Sequence, residues 1–296
     1  ATGEFSHCYW YNGGGRLSQM GKNYLIGNSA FGYNENCILN CEYKDFGEMI
    51  KPAKTIRGGA ILGYLAIINV DDCMFYNNKA AVGGAICIRS GDLTVENTNF
   101  IKNTAEYVHR DSSDSRAGAA IFYSSKSFEF DSITVAQYPT VKSFNKLENT
   151  LKVSSSNFIE NGPNINGEIP STETNTSIFY IGNYAEDIKI SKNKFLNNFT
   201  TKDCADLSIF DKLPKNDKTW VIDENIFASS RNFGNNKIAS SVFIENNMNP
   251  CFIRANSFYN CTDSVGDDLK TIPYITINPL NKIRLEGNNF DCSFFR

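Results

Sequence analysis

An aliphatic residue followed five positions later by phenylalanine returns eight times along the chain: Ile26/Phe31, Val70/Phe75, Val95/Phe100, Val153/Phe158, Ile190/Phe195, Ile222/Phe227, Ile253/Phe258 and Leu285/Phe290. Two residues before each Phe stands a small or polar residue: Ser29, Cys73, Thr98, Ser156, Asn193, Asn225, Asn256 or Asn288. In this reading the aliphatic residue ends a strand, the polar residue turns a corner and the Phe opens the next strand. The distance between successive Phe varies from 25 to 58 residues while the short pattern does not change. Units too small to bury their own apolar face, repeated with tolerated insertions, describe stacked coils that share one continuous core.

A second strand precedes most of the Phe. It reads Ala60-Ile61, Ala85-Ile86-Cys87-Ile88, Ala120-Ile121-Phe122-Tyr123, Ser177-Ile178-Phe179-Tyr180, Leu207-Ser208-Ile209-Phe210, Ser241-Val242-Phe243-Ile244 and Tyr274-Ile275-Thr276-Ile277. These runs are short and rich in β-branched and aromatic residues, and no segment keeps a helical period between caps. The expected fold is therefore all-β: a single-stranded, right-handed parallel β-helix of about eight coils stacked at the ~4.8 Å strand spacing, with loops along one edge. One domain is expected over 1–296, with 1–23 as an N-terminal cap and 24–296 as coils. In the cap, Tyr9, Trp10 and Tyr11 would cover edge strands open to pairing with another chain.

Three of the early second strands begin Gly58-Gly59-Ala60-Ile61, Gly83-Gly84-Ala85-Ile86 and Gly118-Ala119-Ala120-Ile121. Four Phe are followed three places later by Asn: Asn78, Asn103, Asn161 and Asn198. Asn at equivalent corners can satisfy turn backbone and bond its own neighbours as a ladder. With the GGA(I/L/V) starts and the FxxN corners, the segment from about 58 to 200 resembles the repeats of the polymorphic membrane protein family, bacterial surface adhesins and autotransporter passengers. The later coils keep Phe227, Phe258 and Phe290 without those two signatures. More widely the chain resembles right-handed parallel β-helices of the pectin-lyase-like class. The resemblance implies a secreted or surface-displayed ectodomain.

Charge and composition exclude several roles. The 296 residues are 41% hydrophobic with a formal net charge of −3, and the charges are interspersed, so no basic footprint for nucleic acid exists. The longest apolar stretch, 60–70, is about half of the ~20 residues a membrane span needs. The chain begins at Ala1 without a charged, apolar leader, as a secreted protein does after processing. Nine cysteines fit an oxidising compartment, and the odd number leaves one free or paired outside the chain. Cys261 and Cys292 follow successive Phe at nearly the same phase and are expected to bridge, with Cys37 joined to Cys41 or Cys8. Cys73 and Cys87 fall inside repeats and read as small core residues. Sequons at Asn175, Asn198 and Asn260 are candidate glycosylation sites. No metal site and no cofactor are expected, since there is no CxxC and His7 and His109 stand apart.

The enzyme reading needs carboxylates held across one groove. Asp71-Asp72 is the best pair but adjoins a corner, where other coils carry Gly27-Asn28, Glu96-Asn97, Ser154-Ser155 and Asp223-Glu224. Asp267-Asp268 lies in a loop, Arg254 and Arg284 lack an acidic cluster at fixed phase, and Gly13-Gly14-Gly15-Arg16 lacks the residues of a phosphate cradle. No catalytic residue is assigned. Most insertions fall between a Phe corner and the next second strand, near 32–57, 104–117, 162–175, 199–206, 231–239 and 262–273, with a further excursion near 124–150. Loops leaving at one phase line one edge, which points to an adhesive or structural ectodomain that binds protein or glycan on a cell surface or matrix. A filament subunit formed by self-association and a polysaccharide lyase or hydrolase are the alternatives.

Overall fold

Two left-handed corners in each repeat set how the chain stacks. The residue two places after the aliphatic one has φ between 49° and 60° at Asp72, Asn97, Ser155, Lys192, Glu224, Ala255 and Gly287. The residue two places after Phe does the same, with φ between 53° and 56°, at Asn77, Lys102, Glu160, Asn197 and Ser229. Each turns the strand sharply, and the described corners fall at the same places from repeat to repeat. A computed structural model describes residues 2–6, 9–11, 29–32, 58–80, 82–105, 116–124, 149–163, 175–182, 185–201, 204–210, 218–232, 241–245, 249–259, 262–263, 273–279 and 281–291. They form strands and corners with no helix, and every strand pair is parallel.

The largest sheet has fourteen strands in two rows. The upstream row runs Ser29–Gly32, then the first halves of Ile61–Asp71 and Ile86–Glu96, then Arg116–Ser124, Asn175–Ile181, Leu207–Phe210, Val242–Glu245 and Ile275–Asn278. The aliphatic row runs Thr2–Ser6, the second halves of those same two long strands, Thr150–Ser154, Asp187–Ser191, Trp220–Asp223, Cys251–Arg254 and Ile283–Glu286. The Phe sheet stacks Tyr9–Tyr11, Met74–Tyr76, Asn99–Ile101, Asn157–Ile159, Lys194–Leu196, Ile226–Ala228, Ser257–Tyr259 and Asn289–Phe290. Two-residue strands follow it: Lys79–Ala80 with Thr104–Ala105, and Phe199–Thr200, Arg231–Asn232 and Thr262–Asp263.

Inside, Phe75, Phe100, Phe158, Phe195, Phe227 and Phe258 are fully buried. Their rings stack one rung on the next, with centroids 4.6 to 5.1 Å apart and planes within 9° of parallel. Phe290 continues the column 5.0 Å from Phe258 but is 42% exposed. Val70, Val95, Val153, Ile190, Ile222 and Ile253 form a buried aliphatic column in register beside it.

Phe31 lies outside the Phe sheet. Its strand pairs with the upstream row, Phe31 opposite Gly63, and the partner of Phe75 in the Phe sheet is Trp10. Within the segment expected as a cap, residues 2–6 and 9–11 pair in register with the next rung: Phe5 lies opposite Val70 and Trp10 opposite Phe75, so the five-residue interval is kept with an aromatic in each place.

The paired glycines are required by close approach. Gly59 N–H donates to the Gly83 carbonyl at 3.2 Å and Gly84 N–H to the Gly118 carbonyl at 3.1 Å. A Cβ on Gly84 would collide with the backbone carbonyls of Ala119 and Thr104, and one on Gly59 with the carbonyl of Gly84. These obstacles are main chain and cannot swing aside. Gly84→Ala is expected to destabilise the fold by roughly 1–3 kcal/mol or more, read as a lowered urea midpoint.

Candidate functional site

The insertions begin and end on described residues, which fixes where they leave the stack. Segments 106–115, 164–174, 233–240 and 264–272 each start after Ala105, Pro163, Asn232 or Asp263, just past a two-residue strand or, before Pro163, the single bridge at Gly162, and rejoin at Arg116, Asn175, Ser241 or Pro273 at the head of the upstream row. A second set, which the sequence showed as a single excursion, lies at the corner between the two rows. Segments 125–148, 211–217 and 246–248 depart there, whereas Ile61–Asp71 and Ile86–Glu96 run through that corner as continuous strands of 11 residues.

The strand faces differ in what they expose. On the upstream row, the outward Leu62, Cys87, Phe122, Tyr180 and Phe243 are as buried as the inward residues, and Phe122 stacks on Tyr180 at 4.9 Å. That row is closed on both faces. The aliphatic row turns Lys152, Lys189 and Arg284 to solvent. The Phe sheet turns out a half-buried column, Tyr76, Ile101, Ile159, Leu196, Ala228 and Tyr259, in register across six rungs.

The polar corner residues are consumed by the fold. At the corner before the Phe sheet, each backbone N–H donates to the side chain one rung on: Cys73 to Thr98, Thr98 to Ser156, Ser156 to Asn193, and onward through Asn225 and Asn256 to Asn288, at 2.9 to 3.3 Å. After the Phe sheet the same scheme links Asn78, Asn103, Asn161 and Asn198. Asp72 and Glu224 are left-handed corner residues. Asp71 accepts a hydrogen bond from Asn97 at 3.0 Å.

Arg254 does have an acid at its phase. Asp223, Arg254 and Glu286 lie on adjacent rungs in register, and the Arg254 guanidinium meets Asp223 at 3.1 Å. The sequence concealed this column because its members are about 31 residues apart. Among the described residues no group of three or more His, Cys, Asp or Glu is placed to hold a metal ion.

Asn198 is not available for glycosylation. Its side chain is fully buried and its Nδ2 donates to the Phe158 carbonyl at 3.0 Å, so the sequon there is a by-product of the FxxN corner. Asn175 begins an upstream strand and is half-buried. Asn260, Cys8, Cys37, Cys41, Cys261 and Cys292, together with His7, His109 and Asp267-Asp268, lie outside the described residues. Cys73, Cys87, Cys204 and Cys251 are buried thiols, and burial pushes Cys251 up to about 12, which suits packing rather than reactivity.

One carboxylate escaped the sequence reading. Asp206 is fully buried, and burial pushes its carboxyl up to about 8, with the neighbouring Ser230 and Asn198 side chains pulling it back down. Nothing in Cys204-Ala-Asp-Leu207 distinguishes it from a surface acid. Only the register, which sets it level with the buried Ser241 of the next rung, reveals its place.

A stretch of 49 residues is 41% identical to part of the metabotropic glutamate receptor-like protein R of Dictyostelium discoideum. The match covers 17% of this chain and 3% of the length of that protein. No protein family and no solved structure matches the chain. No helix among the described residues is long and apolar enough to cross a membrane.

Proposed function

We propose that the chain is a right-handed, single-stranded parallel β-helix, akin to the polymorphic membrane protein repeats, that acts outside the cell or on its surface as a non-catalytic adhesive or structural ectodomain. The observation carrying this reading is the common phase of the insertions. Loops anchored at Ala105, Pro163, Asn232 and Asp263 leave at one corner of a rigid stack. A partner protein or glycan then meets several weak contacts at fixed spacing, and their avidity exceeds the affinity of each.

Replacing 106–115, 164–174 and 233–240 by tight Asn-Gly turns tests the reading. Melting should change little, because the entropy of closing a loop varies slowly with its length. Attachment to cells, matrix or polymer should be lost. Attachment that survives all three replacements, and fails instead when Tyr76, Leu196 or Tyr259 is altered, would assign binding to the outer face of the Phe sheet.

A second reading is a subunit that self-associates end to end into a filament, since every described strand pair is parallel and the same pairing can continue from one copy to the next. Electron microscopy of native material that shows only single particles would dismiss it.

A further inference from the structure

The FxxN ladder ends in a change of residue, and a carboxylate stands at the point where it ends. Asn78, Asn103, Asn161 and Asn198 pass hydrogen bonds from rung to rung, but Ser230 holds the next position. The Arg231 N–H donates to the Asn198 carbonyl at 2.9 Å, which fixes Ser230 beside Asn198. Serine is too short to continue the amide ladder. Asp206 comes in from the adjacent upstream strand, its backbone held where its carbonyl accepts from Phe179 N–H at 2.8 Å and where Leu207 N–H donates to Ser241 at 2.9 Å.

The side chains of Ser230 and Asn198 are the carboxyl's hydrogen-bonding neighbours and favour its charged form, yet no bond of full hydrogen-bond geometry reaches either carboxyl oxygen. Ser230 Oγ, Thr200 Oγ1, Ser177 Oγ and Thr176 Oγ1 are likewise without a bond, and all five residues are fully buried. Register and backbone bonds gather them. Thr200 follows Asn198 by two places and also points inward. The Thr176 N–H donates to Thr201 Oγ1 at 2.9 Å, and Thr201 N–H returns to the Thr176 carbonyl at 3.1 Å. Residues 177–178 stand one rung from Asp206.

We propose that this interior corner binds a dehydrated monovalent cation of the sodium or potassium type, held by the Asp206 carboxylate among the hydroxyl oxygens of Ser230, Thr200, Ser177 and Thr176. An isolated ionised carboxylate out of water is very costly, so a proton or a cation must neutralise it. The four hydroxyls carry their own O–H donors and a proton on the carboxyl adds only one more, whereas a hard cation engages several oxygen lone pairs at once. Charge selects the class. On the packed elements the titratable and charged residues are Cys204, a buried thiol, Tyr180, which is buried and stacked on Phe122, Arg231, which is exposed, and Glu245, which is half-buried; no second buried carboxylate joins Asp206 among the described residues. One negative charge balances one monovalent ion, and a divalent ion would leave a net positive charge in the core.

Protons and cations compete for the carboxylate, which makes the site testable. Without a cation, a carboxyl raised from its unfolded value near ~3.9 contributes stability that is fully present below that pH and lost as pH rises through its folded value. Thermal unfolding of the full chain is followed one unit above that folded value at fixed ionic strength in sodium, potassium or choline chloride. Sodium or potassium should raise the melting temperature by roughly 5 °C over choline, while Asp206→Asn should melt alike in all three. If that variant fails to fold, sodium-23 relaxation of the wild type supplies the reading: broadening that choline cannot abolish but potassium competition can. Equal melting of the wild type in all three salts, with a loss of stability toward high pH that no cation restores, would show a protonated acid and overturn the proposal. A rise with calcium alone would overturn it as well.

Discussion

Phe158→Ala is expected to lower the unfolding free energy by about 3–5 kcal/mol, the range for emptying a buried aromatic site that cannot collapse. Phe158 is fully buried, with Phe100 at 4.9 Å on one side, Phe195 at 4.6 Å on the other and Phe179 at 6.0 Å across the interior. The strands above and below are pinned by parallel pairing at Asn157–Ile159, so the rungs cannot close the gap. Each stacked aromatic pair also contributes roughly 0.5–1.5 kcal/mol beyond its buried area. Phe290→Ala is the internal comparison. That ring is 42% exposed, has no ring beyond it among the described residues, and should cost roughly 1 kcal/mol or less. Urea unfolding of both variants would decide the matter, and equal effects would mean that the column is not the core.

The second large effect is expected at Asn161. Its Oδ1 accepts from both the backbone N–H and the Nδ2 of Asn103, at 2.9 and 3.0 Å. Its own Nδ2 donates to the Phe100 carbonyl at 2.8 Å and to Asn198 Oδ1 at 3.3 Å. Asn161→Ala leaves two donors and a carbonyl buried without partners, at roughly 1–3 kcal/mol each. A total near 3–5 kcal/mol is expected, although Asn is a small side chain and little apolar area is lost. Asn161→Asp separates hydrogen bonding from volume. The carboxylate still accepts from Asn103 but faces the Phe100 carbonyl and Asn198 Oδ1 without a donor. It should therefore be severely destabilised at neutral pH and recover part of its stability in acid, where one carboxyl oxygen regains a proton. A pH-independent loss equal to that of alanine would contradict the ladder.

The sequence disclosed what the fold repeats and concealed what the fold does once. The Phe intervals, the aliphatic partners and the polar corners could be read because every rung imposes the same steric demand: an inward ring, an inward branched residue and a left-handed corner between them. Phe31 misled because Ile26 and Ser29 satisfy the same short pattern by coincidence, while the rung that pairs with Val70 and Phe75 writes it with Phe5 and Trp10. Asn198 misled for a related reason, since a ladder corner followed by Phe199-Thr200 spells a sequon although its amide is spent inside. The second set of insertions was hidden because the two rows form one continuous strand in only two rungs. Asp206 could not be read at all. Its place beside Ser230, one rung away, is a relation between residues 24 apart that no local pattern carries.

The claim on which everything else depends is that residues 58 apart in sequence, on either side of the insertions at 106–115 and 125–148, are direct neighbours in register. Asn99 and Asn157 are such a pair, their outward amides joined at 2.8 Å. Adjacent strands at ~4.8 Å lie within the Cα range a disulfide spans. Disulfide mapping of a folded Asn99→Cys, Asn157→Cys double variant is the most direct measurement. Mild oxidation should join the two new cysteines to each other with native-like melting. Recovery of both as alkylated thiols from folded, oxidised protein would contradict the stacked parallel register.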